Sequence, residues 1–149
     1  MRTKLTSALI ALLSVFILST PAAAEQDRPI TVNQLPATAR QIINQHFAVK
    51  KVALAKYDND LLDKSYDVIF TDGCKLEFDS KGNWTEISCP GSSVPAALIP
   101  AAIAQYVNSH YAGAKIVKIE RDKKEYDVTL HDGMEITFNK KFQVIDIDR

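Results

Sequence analysis

The stretch YDVIFTDGCKLEFD at residues 66–79 returns as YDVTLHDGMEITFN at residues 126–139. A phrase that recurs at such a distance marks a chain built from similar stacked units, and it constrains the fold more than any single residue does. Setting Leu35-Pro36 on Ile99-Pro100 carries the match backwards, with Gln41 on Gln105, Asn44 on Asn108, His46 on His110 and Lys51 on Lys115. The first copy has four extra residues within 59–63, after which Tyr66 meets Tyr126 and Ile87 meets Ile147. The expected repeats are residues 30–89 and 94–148, joined by the turn-rich Pro90-Gly91-Ser92-Ser93.

Each unit opens with a helix. Leu35, Ala39, Ile42, Ile43 and Phe47 recur at helical spacing, and so do Ile99, Ile103, Tyr106, Val107 and Tyr111, giving one apolar stripe apiece. Pro36 and Pro100 suit a first turn, and Gly113 suits a helix end. Strands are expected near 51–57, 65–71, 74–79 and 84–89, then near 115–121, 125–131, 134–139 and 143–148. The predicted fold is α+β: two tandem helix-plus-four-strand repeats forming one curved eight-stranded antiparallel sheet, with both helices on one face.

The repeated phrase sets the register. A two-residue Asp72-Gly73 loop would place Phe70 opposite Lys75 and Val68 opposite Glu77, mixing core and charge on one face. A three-residue loop, Thr71-Asp72-Gly73, pairs Phe70 with Cys74, Val68 with Leu76 and Tyr66 with Phe78. The same loop in the second copy pairs Leu130 with Met134 and Val128 with Ile136. Gly73 and Gly133 are therefore expected at positive φ. Counting outward from Lys81-Gly82 then pairs Phe78 with Thr85, Leu76 with Ile87 and Cys74 with Cys89.

With one face committed to the helices, alternation gives the other. It should carry Asp67, Ile69, Lys75, Glu77, Trp84, Glu86 and Lys56 from the first unit. The second should supply Asp127, Thr129, Glu135, Thr137, Val144, Asp146 and Glu120. If that face is concave, Trp84, the single tryptophan, is the expected anchor for a partner, against the plainer reading that it covers a hairpin neighbour.

Residues 1–24 read as a secretory signal. Arg2 and Lys4 precede the apolar run 5–19, and Pro21-Ala22-Ala23-Ala24 supplies small residues for cleavage after Ala24. The leader holds two of the 18 basic residues and none of the 18 acidic ones, so the remainder carries a formal −2. That excludes a nucleic-acid footprint and a polybasic membrane binder, and no membrane span is expected after signal cleavage. Export into an oxidising compartment, together with the register, favours a Cys74–Cys89 disulfide over two buried thiols.

No catalytic or metal signature stands out. There is no GxSxG motif and no CxxC. His46 and His110 fall near helix ends, and His131 takes the turn position that Thr71 fills in the first copy. Asp58, Asp60 and Asp63 lack the glycine and terminal glutamate of an EF-hand loop and read as a solvated loop. No metal and no cofactor are expected.

Leu-Pro or Ile-Pro opening an apolar helix, then Tyr-Asp-Val, Asp-Gly and a Phe-containing strand, and finally Gly82-Asn83-Trp84, resemble the PepSY-like, β-lactamase-inhibitor-like proteins, exported bacterial proteins. The resemblance runs from about Thr31 to Asp148. It implies a fold similar to the β-lactamase inhibitor protein, an extracytoplasmic location and an inhibitory or regulatory role without catalytic residues. Lys141-Phe142-Gln143-Val144 departs from the first copy's Lys81-Gly82-Asn83-Trp84. The expectation is a non-enzymatic periplasmic or secreted module that binds an unidentified protein or peptide of the cell envelope through the concave sheet face. The alternative is a carrier of small molecules or envelope ligands, with a pocket between helices and sheet lined by Ile43, Phe47, Val68 and Phe78.

Overall fold

The computed structural model describes residues 27–60 and 62–149. The signal peptide expected over 1–24 lies outside the described residues. Along the chain come β1 (Arg28–Ile30), a 3-10 turn (Val32–Gln34), α1 (Ala37–His46), β2 (Val52–Asn59), β3 (Lys64–Phe70), β4 (Lys75–Asp79) and β5 (Trp84–Ser88). A second 3-10 turn (Ala96–Leu98), α2 (Ala101–His110), β6 (Ile116–Arg121), β7 (Glu125–Leu130), β8 (Glu135–Asn139) and β9 (Val144–Asp148) follow. The fold is α+β, with an open antiparallel sheet in which every strand neighbours its predecessor, from β1 to β9. The sheet has nine strands rather than the expected eight, because Arg28–Ile30 pairs with β2. Three residues around a proline offer no alternation to read, which is why β1 escaped the sequence pattern.

The registers align into rows that cross the sheet. Ile30, Ala55, Val68, Leu76, Ile87, Ile119, Val128, Ile136 and Ile147 each face the next across all nine strands. Side chains alternate between faces along each strand, so this row commits one face to the core. Both helices cover that face. Phe47, at the end of α1, stacks on Phe70 at 5.4 Å, and Tyr106 of α2 meets Phe138 edge-on at 5.4 Å. Leu35, Ala39, Ile43, Ile103 and Val107, from the expected stripes, join one buried cluster with the row. The carrier pocket expected here is filled: Ile43, Phe47, Val68 and Phe78 all belong to that packed cluster.

The repeated phrase folds as its register requires. In the first hairpin Phe70 N–H donates to Cys74 O at 2.8 Å and Gly73 N–H to Phe70 O at 3.0 Å, with Gly73 at φ 89°. Leu130, Met134 and Gly133 repeat the arrangement, with φ 90°. Asp72 and Asp132 each accept the N–H two residues on, which tightens both turns. Cys74 and Cys89 form a disulfide across β4 and β5, with Cα atoms 4.2 Å apart.

The next hairpin corrects the count. Its loop is also three residues, since Asp79 N–H donates to Asn83 O, so Phe78 faces Trp84 rather than Thr85. Thr85 is the extra residue of a bulge, which restores Leu76 opposite Ile87 and Glu77 opposite Glu86. Trp84 thereby joins the buried core, 5% exposed, instead of standing on the open face. The second half bulges identically, and Val144 faces Phe138 and packs partly buried against the core. Both residues were expected on the binding face, and the bulge turns both away from it.

Candidate functional site

On the face away from the helices a second row lies one residue along from the apolar one. Lys56, Asp67, Glu77, Glu86, Glu120, Asp127, Thr137 and Asp146 face one another in that order. Five consecutive members are carboxylates, each directly opposite the next. Beside it runs a third row of Leu54, Ile69, Lys75, Ser88, Lys118, Thr129, Glu135 and Asp148. Of the residues expected on the partner face, Ile69, Lys75, Glu77, Glu86, Thr129, Glu135 and Thr137 are placed there by these pairings.

Like charges directly opposite on neighbouring strands repel, so the row needs internal counter-charges. Two lysines supply most of them. Lys75 Nζ lies 3.7 Å from Asp67 and 3.3 Å from Glu77, and Lys118 Nζ lies 3.9 Å from Glu86 and 3.2 Å from Glu120. Lys56 spans Asp27 at 2.7 Å and Asp67 at 3.4 Å. Asp67 is the one buried charged residue among the described residues, 9% exposed, and is held between two lysines. Asp127 accepts a 2.6 Å hydrogen bond from the Thr137 hydroxyl.

The compensation is incomplete, since six carboxylates, including Asp146, share three lysines. Burial, reinforced by the hydrogen bond and charge of Glu120, holds the Glu86 carboxyl above the usual carboxylate range despite Lys118 and Lys75. Although burial works against it, Asp67, Glu86 and Glu77 hold the Lys75 ammonium above its ordinary value. The face is thus an acidic strip with embedded cations, able to receive positive charge and short of it.

A groove of about 640 Å³ opens at the end of the sheet where the turns after β2, β4, β6 and β8 gather. Trp84, Arg121, Tyr126 and Lys140 line it. The Arg121 guanidinium lies 3.8 Å from the centre of the Trp84 ring, and its Nε–H donates to Trp84 O at 2.7 Å. Alternation along β6 places Arg121 on the same side as Ile119, and its register opposite Tyr126 keeps it there, at the end of the sheet. Its pairing with Trp84 could not be read without the bulge.

Two of the three histidines have partners within the fold. His110 Nδ1 lies 2.9 Å from Tyr106 O and its ring stacks on Tyr106 at 4.0 Å, while His131 Nδ1 accepts from Lys115 N–H at 3.1 Å. Among the described residues no three His, Cys, Asp or Glu side chains gather to hold a metal ion, Asp58, Asp60 and Asp63 included. No described helix is long and apolar enough to cross a membrane.

A family profile described as "Putative beta-lactamase-inhibitor-like, PepSY-like" matches residues 64–146, from β3 into β9. The chain belongs to the PepSY-like family. A solved relative from Bacteroides thetaiotaomicron, described as a "putative calcium-regulated periplasmic protein", is 57% identical, with TM-score 0.81 over 83% of this chain and 97% of its own. A DUF2874-family periplasmic protein from Bacteroides vulgatus is also 57% identical, with TM-score 0.82 over 85% and 99%. Another periplasmic protein of that organism, of unknown function, is 44% identical, with TM-score 0.79 over 83% and 100%. No curated protein matches. The PepSY-like match spans both candidate features, since the acidic row from Asp67 to Asp146 and the groove residues Trp84, Arg121, Tyr126 and Lys140 all fall within it.

Proposed function

We propose that this PepSY-like chain is a non-enzymatic module, exported after signal cleavage to the periplasm, that binds a basic segment of a protein partner across its open sheet face. The observation that carries the reading is the row of five directly opposed carboxylates, Asp67, Glu77, Glu86, Glu120 and Asp127. Such a row holds its own charges in mutual repulsion, and a lysine- or arginine-rich segment relieves it on docking. The periplasmic relatives support the location. The twofold order of 3-10 turn, helix and four strands supports a duplicated unit and a β-lactamase-inhibitor-like architecture.

The reading is tested by titrating a short oligolysine peptide onto the protein, and by pull-down from a periplasmic extract, with wild type and Glu86→Gln/Glu120→Gln compared. Saturable binding that weakens at least about tenfold in the variant and falls with added salt is expected. Unchanged peptide affinity and identical captured partners in the variant would overturn it.

A further inference from the structure

The groove beside Trp84 holds an arginine that no carboxylate of the described residues contacts as an ion pair, although the charge of Asp79 acts on it from nearby. The ion pairs of the described residues use Lys50, Lys56, Lys75 and Lys118, and none includes Arg121. Four carboxylates line the groove, Asp63, Glu77, Asp79 and Asp122, and the last three have hydrogen-bond or ion-pair partners of their own. Asp79 accepts from the backbone N–H of Lys81 and Asn83 and from the Asn83 side chain. Asp122 accepts from Lys124 and Glu125 N–H at 2.6 and 2.8 Å, and Glu77 pairs with Lys75.

Arg121 itself is half-buried and fixed on two sides, by the Trp84 ring beneath it and by the Trp84 carbonyl on its Nε–H. A guanidinium has five donors in a rigid fork, so beyond the bonds to the Trp84 carbonyl and the Tyr126 hydroxyl further Nη donors remain. Lys140 Nζ stands 4.1 Å over the Tyr126 ring on the same groove and donates to Glu125 O at 3.4 Å. A fixed fork and a second cation beside Phe78, Trp84 and Tyr126, in a groove of about 640 Å³, place cationic donors next to aromatic surface, as a site for an anion on an apolar body requires.

We infer that the groove binds a terminal carboxylate, held in bidentate fashion by the remaining Nη donors of Arg121 and by the Lys140 ammonium, with the attached apolar body against Tyr126 and the edge of Trp84 that lines the groove. The carboxylate can belong to a small organic acid or to a peptide C-terminus, and the shared chemistry is a planar anion on an apolar body.

Trp84 is the only tryptophan and lies under Arg121 at the groove, so its fluorescence follows changes around that pair. Full-length exported protein is titrated with benzoate and benzamide, and with an N-acetyl dipeptide ending in phenylalanine as free acid and as amide. A saturable change is expected with at least one acid and with neither amide. Which acid binds more tightly identifies the source. Arg121→Gln should weaken binding at least about tenfold, and Arg121→Lys, which keeps the charge but not the fork, should fall between. Should Arg121→Gln fail to fold, Arg121→Lys and Lys140→Gln carry the test. Glu86→Gln/Glu120→Gln should leave the response unchanged, which separates this site from the open-face reading. Equal response to acid and amide, no response to either acid, or unaltered affinity in the Arg121 and Lys140 variants would overturn the inference.

Discussion

β5 and β9 close the two halves of the chain at equivalent places, with Ile87 matched by Ile147, and they meet opposite fates. Ile87 in β5 is fully buried, lying between Leu76 and Ile119 in the middle of the sheet. Ile147 in β9 has the equivalent partner on one side, Ile136, and among the described residues no strand on the other, and it is 47% exposed, with Ile145 beside it at 54%. The free energy of a residue in a sheet is set by how many neighbours the topology gives it, and alternation alone does not carry that information. At the opposite edge the short β1 performs for β2 what β5 performs for β6: Ile30 faces Ala55 as Ile87 faces Ile119. The sheet therefore has one covered joint, one edge capped by three residues, and one edge left open.

The sharpest test of this contrast is truncation at equivalent positions. Ile87→Ala should cost about 3 kcal/mol in chemical denaturation, and Ile147→Ala under about 1 kcal/mol. Equal costs would mean that β9 is covered in solution. The disulfide is the next difference, since the second half has Met134 where the first has Cys74. Replacing both cysteines with alanine should cost about 3 kcal/mol for a separation of 15 residues, measured against wild type under oxidising conditions. Reductant should lower the wild type by a similar amount and leave the variant unmoved.

The turns differ too. Gly82 has φ 85°, and a Cβ there would lie 2.7 Å from Pro36 Cβ and 2.9 Å from Ala39 N, at the start of α1. The second half places Phe142 at φ 60° instead, with its ring 5.5 Å from Tyr126. Gly82→Ala should cost about 2 kcal/mol, more than Gly133→Ala, which has open space and loses only the positive-φ preference. The smallest expected effect has the opposite sign. Because Glu86 has a raised pKa when folded, its ionisation works against the fold. Stability from this group is greatest below its unfolded pKa and falls as pH rises through the window up to its folded pKa. Glu86→Gln should therefore stabilise by about 0.5 kcal/mol at neutral pH, with the gain vanishing as acid protonates the wild-type residue. A gain in stability joined to a loss of peptide binding would mark the row as kept for a partner.

Much of this was legible in the repeated phrase. Comparing its two copies exposed the three-residue turn, and from the turn followed the apolar row within each half and the identity of Asp67, Lys75, Glu77 and Glu86 as outward residues. Alternation failed where an extra residue intervened. The bulges at Thr85 and Ile145 rotate Trp84 and Val144 to the core side, and nothing in the local pattern signals a bulge whose hairpin loop compensates for it. The acidic row was legible in pieces only. Its continuity depends on Glu86 facing Glu120, a register fixed by the turn at residues 90–93 and by α2 rather than by any hairpin. Arg121 was missed for the same reason, since its partner is across that joint.

The order of the sheet also bears on how the molecule comes together. Most neighbouring strands are joined by a short turn, so those pairings close small loops at low entropic cost. Two pairings, β1 with β2 and β5 with β6, must instead wait for a helix to form and fold back. Low contact order of this kind favours fast folding. Hydrogen exchange should find the hairpins protected early, and the joint between β5 and β6 last to close.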